Sequence, residues 1–405
     1  MKQDWEVKKL GEVCEFLNRG ISPKYIDLGG VCVLNQKCIR SHVVSFDQSR
    51  RHDSSIKPVS SERFIKSGDV LVNSTGTGTL GRVAQIRNIP LEPTTVDSHV
   101  TIVRPKKGMF FSDFFGYMLI FIEDLIKNSG DGCGGQTELA RLVLAKKFLV
   151  FYPKSIPEQQ RIVKILDEVF AGIAKAIENA EKNLAKAREI FTSYLNNVFE
   201  SPGEDWEEKT LKDIAIEFGR GRSKNRPRND KKLYGGKYPF IQTGDVRNSK
   251  HFIKEYSQTY NEVGLAQSKL WPKGTICITI AANIAETGIL GFDGCFPDSL
   301  IGLIVNPKKA NEEFIEYLLS FYKTKIQMKS KGSAQANINM GTFENEKFAI
   351  PPLPIQQSIV TKLDQLNLQT KKLETIYQQK LADLEELKKS VLQKAFNGEL
   401  TMGEA

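Results

Sequence analysis

The segment that decides the fold reads Pro157-Glu158-Gln159-Gln160-Arg161-Ile162-Val163-Lys164-Ile165-Leu166-Asp167, and no helix breaker follows it before Glu200. A second segment reads Pro354-Ile355-Gln356-Gln357-Ser358-Ile359-Val360-Thr361-Lys362-Leu363-Asp364 and continues in the same way to Asn397. A proline in the first turn is typical of a helix start. The sequence therefore predicts two long helices of about 43 residues, each roughly 65 Å long at 1.5 Å per residue.

Apolar residues recur along both predicted helices in alternating steps of three and four. This heptad spacing is typical of a helix that packs against another helix in a coiled coil. In the second helix Thr370 and Lys380 interrupt the apolar seam. The predicted helix-pair interface consists of Leu166, Val169, Ile173, Ile177 and Leu184 in the first helix and of Leu363, Leu366, Leu373, Tyr377, Leu384, Leu387 and Val391 in the second.

The rest of the chain repeats along with the two helices. Asp4-Trp5-Glu6 corresponds to Asp205-Trp206-Glu207, and the match between the two copies runs to Arg19-Gly20 and Arg220-Gly221. Internal self-similarity at this scale indicates one structural module present twice. We predict an α+β fold with an internal pseudo-twofold repeat, divided into a globular domain (1–153), a central helical spacer (154–200), a second globular domain (201–351) and a C-terminal helical spacer (352–405).

Each predicted globular domain follows the same order of elements. A glycine-led strand (Gly68–Val72 and Gly274–Ile278) leads through a polar loop to a Gly-x-Leu-Gly turn (78–81 and 288–291). A short amphipathic helix with core aromatics, a glycine-rich loop and a last strand precede each long helix. Because the termini of a compact domain tend to lie close together, we expect the two long helices to run antiparallel, with one globular domain at each end of the pair.

Composition narrows the classes of function. The 405 residues exceed what one hydrophobic core usually organises, and the net charge of +9 favours an anionic partner, most often nucleic acid. The six cysteines form no CxxC pair and have no histidines at metal-ligand spacing, so reduced thiols and no metal site are predicted. Neither a leader segment nor a membrane-spanning run is evident, and we expect a cytoplasmic protein.

Catalytic motifs are incomplete. Ile350-Pro351-Pro352-Leu353 lacks both outer residues of an amino-methyltransferase motif, and Gly76–Gly81 is followed by Arg82-Val83 rather than by the lysine and hydroxyl of a P-loop. We therefore predict a chain that carries no catalytic residues.

The doubled order of opening segment, globular part, proline segment and long helix resembles the specificity subunit of a Type I restriction-modification system. The residues that carry the resemblance include Gln160 with Ile162-Val163, Gln357 with Ile359-Val360, and the ending Ser390–Leu400. The resemblance implies two target recognition domains that each read half of a bipartite asymmetric DNA site. It also implies that the helices set the gap and that two methyltransferase subunits, which use S-adenosylmethionine, join with restriction subunits, which use ATP and Mg.

Candidate DNA-binding residues follow from residue type and position. Basic side chains suit phosphate contacts, whereas side chains with both a donor and an acceptor suit base edges. The basic candidates are Arg19, Lys24, Lys37, Arg220, Arg222, Lys224, Arg226 and Arg228. The base-reading candidates are Asn35, Gln36, Asn73, Ser74, Thr75 and Gln136 in the first domain and Gln242, Thr243, Asn283, Gln335 and Asn337 in the second. The alternative function is a coiled-coil scaffold or adaptor without sequence-specific DNA binding.

Overall fold

The computed structural model describes residues 4–129, 138–224, 230–281, 284–331 and 340–400, with the backbone alone for 324–331. The chain divides into two compact units. Unit 1 contains Met1–Glu181 and Gln379–Ala405, and unit 2 contains Lys182–Gln378. Each unit thus combines one globular part with a stretch of both long helices.

Unit 1 is a mixed α+β structure. Its strands are β1 (Trp5–Lys9), β2 (Cys14–Arg19), β3 (Tyr25–Ile26), β4 (Val31–Leu34), β5 (Ile39–Arg40), β6 (Val43–Val44), β7 (Arg50–His52), β8 (Val70–Asn73), β9 (Val83–Gln85), β10 (Thr94–Val96), β11 (Val100–Pro105) and β12 (Leu149–Pro153). Its helices are α1 (Leu10–Val13), α2 (Ser112–Phe121), α3 (Glu123–Lys127), α4 (Arg141–Lys147) and the first part of α5 (Ile156–Glu200). Two four-stranded sheets, ordered β2-β11-β8-β9 and β10-β4-β7-β3, and the pairs β1-β12 and β5-β6 form its β structure.

Unit 2 repeats this plan. Its strands are β13 (Glu207–Thr210), β14 (Ala215–Arg220), β15 (Tyr234–Phe240), β16 (Phe252–Ile253), β17 (Gln258–Tyr260), β18 (Leu270–Trp271), β19 (Ile276–Thr279), β20 (Thr287–Leu290), β21 (Gly294–Cys295), β22 (Leu300–Val305) and β23 (Lys347–Ile350). Its helices, besides the end of α5, are α6 (Thr243–Asn248), α7 (Glu262–Ala266), α8 (Glu312–Lys331), α9 (Met340–Asn345) and most of α10 (Leu353–Phe396).

The strand orders that the two units share confirm the internal repeat. The order β2-β11-β8-β9 in unit 1 corresponds to β14-β22-β19-β20 in unit 2, and the pair β1-β12 corresponds to β13-β23. The parallel pairing of β4 with β10 likewise has its counterpart in β15 with β21. Aromatic residues of α2 and α8 are buried in the cores, as expected from their spacing: Phe114 and Phe314 are both 0% exposed.

One predicted turn forms in unit 1 but not in unit 2. Gly78 and Gly81 have φ angles of +76° and +79°, which glycine adopts without steric cost, and the chain turns there. In unit 2 the matching residues Gly288-Ile289-Leu290 are part of β20, where Ile289 pairs with Ile276. The prediction of a second Gly-x-Leu-Gly turn is therefore wrong, because pairing with β19 extends the backbone.

The long helices run antiparallel, as predicted. In unit 1, Leu166 near the start of α5 shares a core with Leu392 and Ala395 near the end of α10. In unit 2, Leu195 and Phe199 near the end of α5 share a core with Val360 and Leu363 near the start of α10. An ion pair of 3.5 Å between Arg188 and Glu374 also joins the two helices there.

The seam of α10 differs from the prediction at one residue. Leu387 is 47% exposed, so its assignment to the helix-pair interface is wrong. Strict steps of four and three pass from Tyr377 through Leu381 and Leu384 to Lys388, all of which are partly buried. Thr370, which interrupts the apolar pattern, is 4% exposed and lies within the seam.

A buried glutamine fixes the start of each long helix to its globular part. Gln159 is 0% exposed; it accepts a hydrogen bond from the Phe111 backbone N–H at 2.7 Å and donates one to the Pro153 carbonyl at 2.8 Å. Gln356 makes the same pair of bonds with the Asn311 N–H and the Pro351 carbonyl, both at 2.7 Å. The segments that carry the family resemblance contain Gln160 and Gln357, but the preceding residues Gln159 and Gln356 make these contacts.

Five cysteines, Cys14, Cys32, Cys38, Cys277 and Cys295, have free thiols, and Cys133 lies outside the described residues. Burial raises the pKa of Cys14 to about 12 and that of Cys295 to about 11, so these thiols are poor nucleophiles at neutral pH. Among the helices of the described part, none is long and apolar enough to cross a membrane.

Candidate nucleic-acid interface

An Arg-Gly dipeptide ends the first long strand of each globular part. The backbone N–H of Gly20 donates to the Val100 carbonyl at 3.0 Å, and that of Gly221 donates to the Leu300 carbonyl at 3.0 Å. A Cβ atom on Gly20 would lie 1.8 Å from the Val96 oxygen, and one on Gly221 would lie 2.4 Å from the Phe296 oxygen. Glycine is therefore required at both positions because the backbones approach too closely for a side chain.

Polar side chains surround a cavity of about 660 Å³ at this end of unit 2. Gln242 and Thr243, both predicted to read bases, line it together with the end of β15. The Gln242 side chain donates to the Gln258 Oε1 at 2.7 Å, which fixes its amide. We call this cavity and its lining the strand-end cavity; its residues are Ser223, Lys231, Tyr234, Gly235, Phe240, Gln242, Thr243, Gln258, Pro297 and Ser299.

Several cations lie in or next to the lining of the strand-end cavity, together with Asp245, whose carboxylate accepts a hydrogen bond from the Gln242 N–H at 2.8 Å. Arg220, Arg222 and Lys224 are all exposed, as is Lys231 in the cavity lining. The backbone of this segment is fixed, since the Arg222 N–H donates to the Phe296 carbonyl at 3.0 Å. Burial, with the neighbouring Tyr260, raises the pKa of Tyr234 to about 12, so its hydroxyl stays neutral. Fixed amides and a neutral hydroxyl beside exposed cations suit an anionic polymer with polar edges.

Unit 1 places the corresponding residues at the end of β4. Asn35 accepts a hydrogen bond from the Lys37 N–H at 2.8 Å and donates to the Gln48 carbonyl at 2.6 Å. Asn35 thus caps the turn Gln36–Cys38, and Lys37 on that turn is exposed. Lys24 is exposed as well. The two units therefore present different side chains at the ends of equivalent strands.

Thr75 and His99 also lie at a strand end of unit 1. The Thr75 hydroxyl is 2.6 Å from the His99 Nδ1, and the His99 backbone N–H donates to the Asp97 carboxylate at 2.9 Å. Burial raises the pKa of Asp97, while the His99 N–H partly opposes this shift. The pair is half-exposed to exposed and offers both a donor and an acceptor.

Two predicted base-reading residues lie inside the core instead. Asn73 and Ser74 are both 0% exposed. The Asn73 amide donates to the Gln36 carbonyl at 3.1 Å, and the Ser74 hydroxyl is 2.5 Å from the Thr101 hydroxyl. This burial corrects the prediction: both residues position the loop that carries Thr75 and do not reach the surface in this structure.

Arg19 also differs from its counterpart Arg220. Its guanidinium forms an ion pair with Glu138 at 2.8 Å and donates to the Leu139 carbonyl at 2.9 Å. These contacts neutralise part of its charge and hold residues 138–139 against β2. A phosphate would have to compete with Glu138 for this side chain, whereas Arg220 is exposed.

Six predicted DNA-binding residues lie outside the described residues: Gln136, Arg226, Arg228, Asn283, Gln335 and Asn337. Gln258 and Ser299 line the strand-end cavity but were absent from the sequence-based set. Gln258 reaches the cavity because β17 pairs with β15 and sets Gln258 opposite Phe240. Ser299 did have a sequence signal, since Asp298-Ser299 repeats Asp97-Ser98.

Comparison with known proteins gives a consistent result. Residues 2–186 and 203–385 match the family model described as Type I restriction modification DNA specificity domain. A putative type I restriction enzyme MjaX specificity subunit from Methanocaldococcus jannaschii is 22% identical over 422 residues, which cover 98% of this chain and 94% of that protein. The StySPI specificity subunit of Salmonella potsdam is 29% identical over 272 residues, covering 61% of this chain and 57% of its own.

Solved structures share the fold. The HsdS subunit of Thermoanaerobacter tengcongensis has a TM-score of 0.66 at 19% identity, covering 99% of this chain and 98% of its own. A chain from a structural study of type I R-M complex assembly and conformational transition has a TM-score of 0.76 at 18% identity, covering 99% of both chains. The family model matches each copy of the repeat separately, and together the two matches span most of the sequence. The chain therefore belongs to the family of Type I restriction-modification DNA specificity domains.

Proposed function

We propose that this chain is the DNA-reading subunit of a cytoplasmic Type I restriction-modification complex and that each unit reads one half of a bipartite asymmetric DNA site. The observation that carries the proposal is that equivalent strands of the two units end in different polar side chains. Equivalent strands hold Asn35-Gln36 in unit 1 and Gln242-Thr243 in unit 2. One backbone plan with different polar side chains favours two half-sites of different sequence.

In this proposal, other subunits of the complex catalyse the reactions. Two methyltransferase subunits supply S-adenosylmethionine-dependent methylation of adenine, and restriction subunits supply ATP- and Mg-dependent cleavage. The helix pair α5–α10 joins the two readers. This chain contributes selection of the site and carries no catalytic residue.

Exchange of the globular parts tests independent reading. Replacing residues 1–156 with residues 201–353 gives a chain in which the second reader occurs twice, and the buried glutamine contacts at both helix starts are retained. We expect this hybrid to direct methylation to sites that contain the second half-sequence twice. Profiling of methylated adenines in a host that also carries the cognate methyltransferase measures the outcome. A folded hybrid that keeps the original asymmetric site would refute independent reading.

The exposed cations Arg220 and Arg222 of unit 2 give a second prediction. Replacing Arg220 and Arg222 with glutamine is expected to weaken DNA binding by the full chain and to reduce the slope of log K against log salt by about 0.9 per lost phosphate contact. Arg188→Gln on α5, which breaks an ion pair with Glu374, is the matched control and should leave the slope unchanged. An unchanged slope in the double variant would remove these residues from the DNA backbone interface, and no DNA binding by the unaltered chain would favour the scaffold alternative.

A further inference from the structure

Three potential metal ligands meet where the globular part of unit 2 joins α10. His251 precedes β16, Glu313 lies in the first turn of α8, and Asp364 lies on α10. One ligand atom from each lies within 4.8 Å of the others. The His251 Nε2 is 3.9 Å from the Glu313 carboxylate. The residues are distant in sequence, so their spacing does not form a metal-binding motif that the sequence alone would indicate.

The imidazole of His251 is oriented with one nitrogen free. Its Nδ1 pairs with the Glu316 carboxylate, which also accepts a hydrogen bond from the Thr287 hydroxyl at 2.8 Å. The ring stacks on Tyr317 with 4.4 Å between centroids. The side chain is 9% exposed, yet among the described residues its Nε2 has no hydrogen-bond partner, and it faces the Glu313 carboxylate. A carboxylate on Nδ1 that leaves Nε2 available is the usual arrangement of a metal-ligating histidine.

The two carboxylates of the cluster face each other. The ligand oxygens of Glu313 and Asp364 lie within 4.8 Å of each other. Tyr317 donates a hydrogen bond to the Asp364 Oδ1 at 2.6 Å, which leaves the second oxygen of Asp364 available. The cluster therefore favours positive charge at its centre.

In unit 1 the positive charge beside the corresponding carboxylates comes from an arginine, which is permanently charged. There Tyr117 donates to Asp167 as Tyr317 donates to Asp364. The Arg87 guanidinium lies 3.8 Å from Asp113 and 5.6 Å from the centre of the Tyr117 ring. Unit 2 has a histidine ring against the tyrosine in place of that guanidinium.

Unit 2 also carries one more carboxylate at this place than unit 1. Gly116 occupies the position on α2 that Glu316 occupies on α8, and a Cβ on Gly116 would lie 2.2 Å from the Gln85 side chain. The cluster of unit 2 thus combines three carboxylates with one imidazole, whereas unit 1 sets two carboxylates beside an arginine. A divalent cation would supply in unit 2 the positive charge that Arg87 supplies in unit 1.

We propose that His251, Glu313 and Asp364 bind a divalent transition-metal cation of the Zn²⁺ class, which ties the globular part of unit 2 to α10. One imidazole and two carboxylates are ligands that Zn²⁺ accepts, while Mg²⁺ prefers oxygen ligands alone. Tetrahedral binding at about 2.0–2.1 Å sets ligand atoms about 3.4 Å apart, so side-chain shifts of roughly 1 Å close the site. Asp364 is exposed and leaves room for a water as the fourth ligand.

The experiment uses the full chain, freed of metal with a chelator and dialysed. Isothermal titration with Zn²⁺ is expected to show one saturable site per chain. Co²⁺ should give the visible absorption of a four-coordinate ion, and either ion should raise the midpoint of thermal unfolding. Mg²⁺ at the same concentration should produce none of these effects. DNA binding is not part of the readout, so the result is independent of the proposed function.

Variants identify the ligands. His251→Gln and Glu313→Gln should abolish the saturable site, and Glu316→Gln, which removes the carboxylate that orients the ring, should weaken it by about 10- to 100-fold. His99→Gln, an exposed histidine of unit 1, is the matched control and should bind as the unaltered chain does. His251→Arg copies Arg87 and should fold without metal, with an unfolding midpoint that neither Zn²⁺ nor chelator changes.

Two results would overturn the proposal. One is the absence of a saturable Zn²⁺ or Co²⁺ site in the unaltered chain. The other is a site whose affinity is the same in His251→Gln, Glu313→Gln and the His99→Gln control, since binding would then lie elsewhere. Because His251→Arg retains a cation among the carboxylates, its thermal unfolding separates loss of metal binding from loss of the fold.

Discussion

Replacing Gly221 with alanine is expected to lower the free energy of unfolding by about 3 kcal/mol, because the new methyl group has no space. Its Cβ would lie 2.4 Å from the carbonyl oxygens of both Phe296 and Pro297. Backbone atoms give way only if the segment after β14 moves from β21 and β22. That movement would break the hydrogen bonds from the Gly221 N–H to Leu300 and from the Arg222 N–H to Phe296.

Gly219 is the control, two residues earlier on the same strand. Of the residues that the structure describes, a Cβ there would meet only the Trp271 ring, at 4.0 Å. Gly219→Ala should therefore change stability by less than about 1 kcal/mol. Thermal unfolding and hydrogen exchange of β14 and β22 measure both variants. If Gly221→Ala were as stable as Gly219→Ala, with equal protection of these strands, the close backbone approach would not be a constraint on the fold.

Local sequence signals explain which parts of the fold could be predicted. The long helices and the repeat follow from heptad spacing and matched segments, which need no knowledge of distant contacts. Steps of three and four lead from Tyr377 either through Lys380 to Leu387 or through Leu381 to Lys388, and only the partial burial of Leu381 and Lys388 in the structure distinguishes the two paths. Asn73 is the last residue of the buried strand β8 and Ser74 follows it, and their burial depends on Gln36 and Thr101 from other segments.

Long-range pairing explains what the sequence could not provide at the candidate site. Gln258 enters the strand-end cavity only because β17 pairs with β15. Glu138 partly neutralises Arg19 through an ion pair, although the two residues lie near opposite ends of the sequence of this globular part. His251 and Asp364 lie together because both contact α8, His251 through Glu316 and Asp364 through Tyr317. In each case the relevant partner lies far along the chain, where residue spacing carries no information about distance in space.

Replacing Gln356 with leucine is expected to lower the free energy of unfolding by roughly 2–5 kcal/mol, because two backbone groups lose their partner in a buried place. The Asn311 N–H and the Pro351 carbonyl both bond to this side chain, and leucine of similar size offers neither an acceptor nor a donor. Gln159→Leu should have a similar effect in unit 1, where the Phe111 N–H and the Pro153 carbonyl are the partners.

Each affected glutamine has a neighbouring glutamine as its control. Gln357 is exposed, and its side chain accepts a hydrogen bond from the Asn311 side chain at 3.1 Å, so Gln357→Leu should lower the free energy of unfolding by less than about 1 kcal/mol. Denaturant unfolding measures the difference between the two leucine variants, and hydrogen exchange at the Asn311 amide reports directly on the lost bond. Equal stability of Gln356→Leu and Gln357→Leu would contradict the anchoring role. Faster exchange at Asn311 in Gln356→Leu alone would show that the buried Gln356 side chain, and not its exposed neighbour, protects this amide where α10 begins.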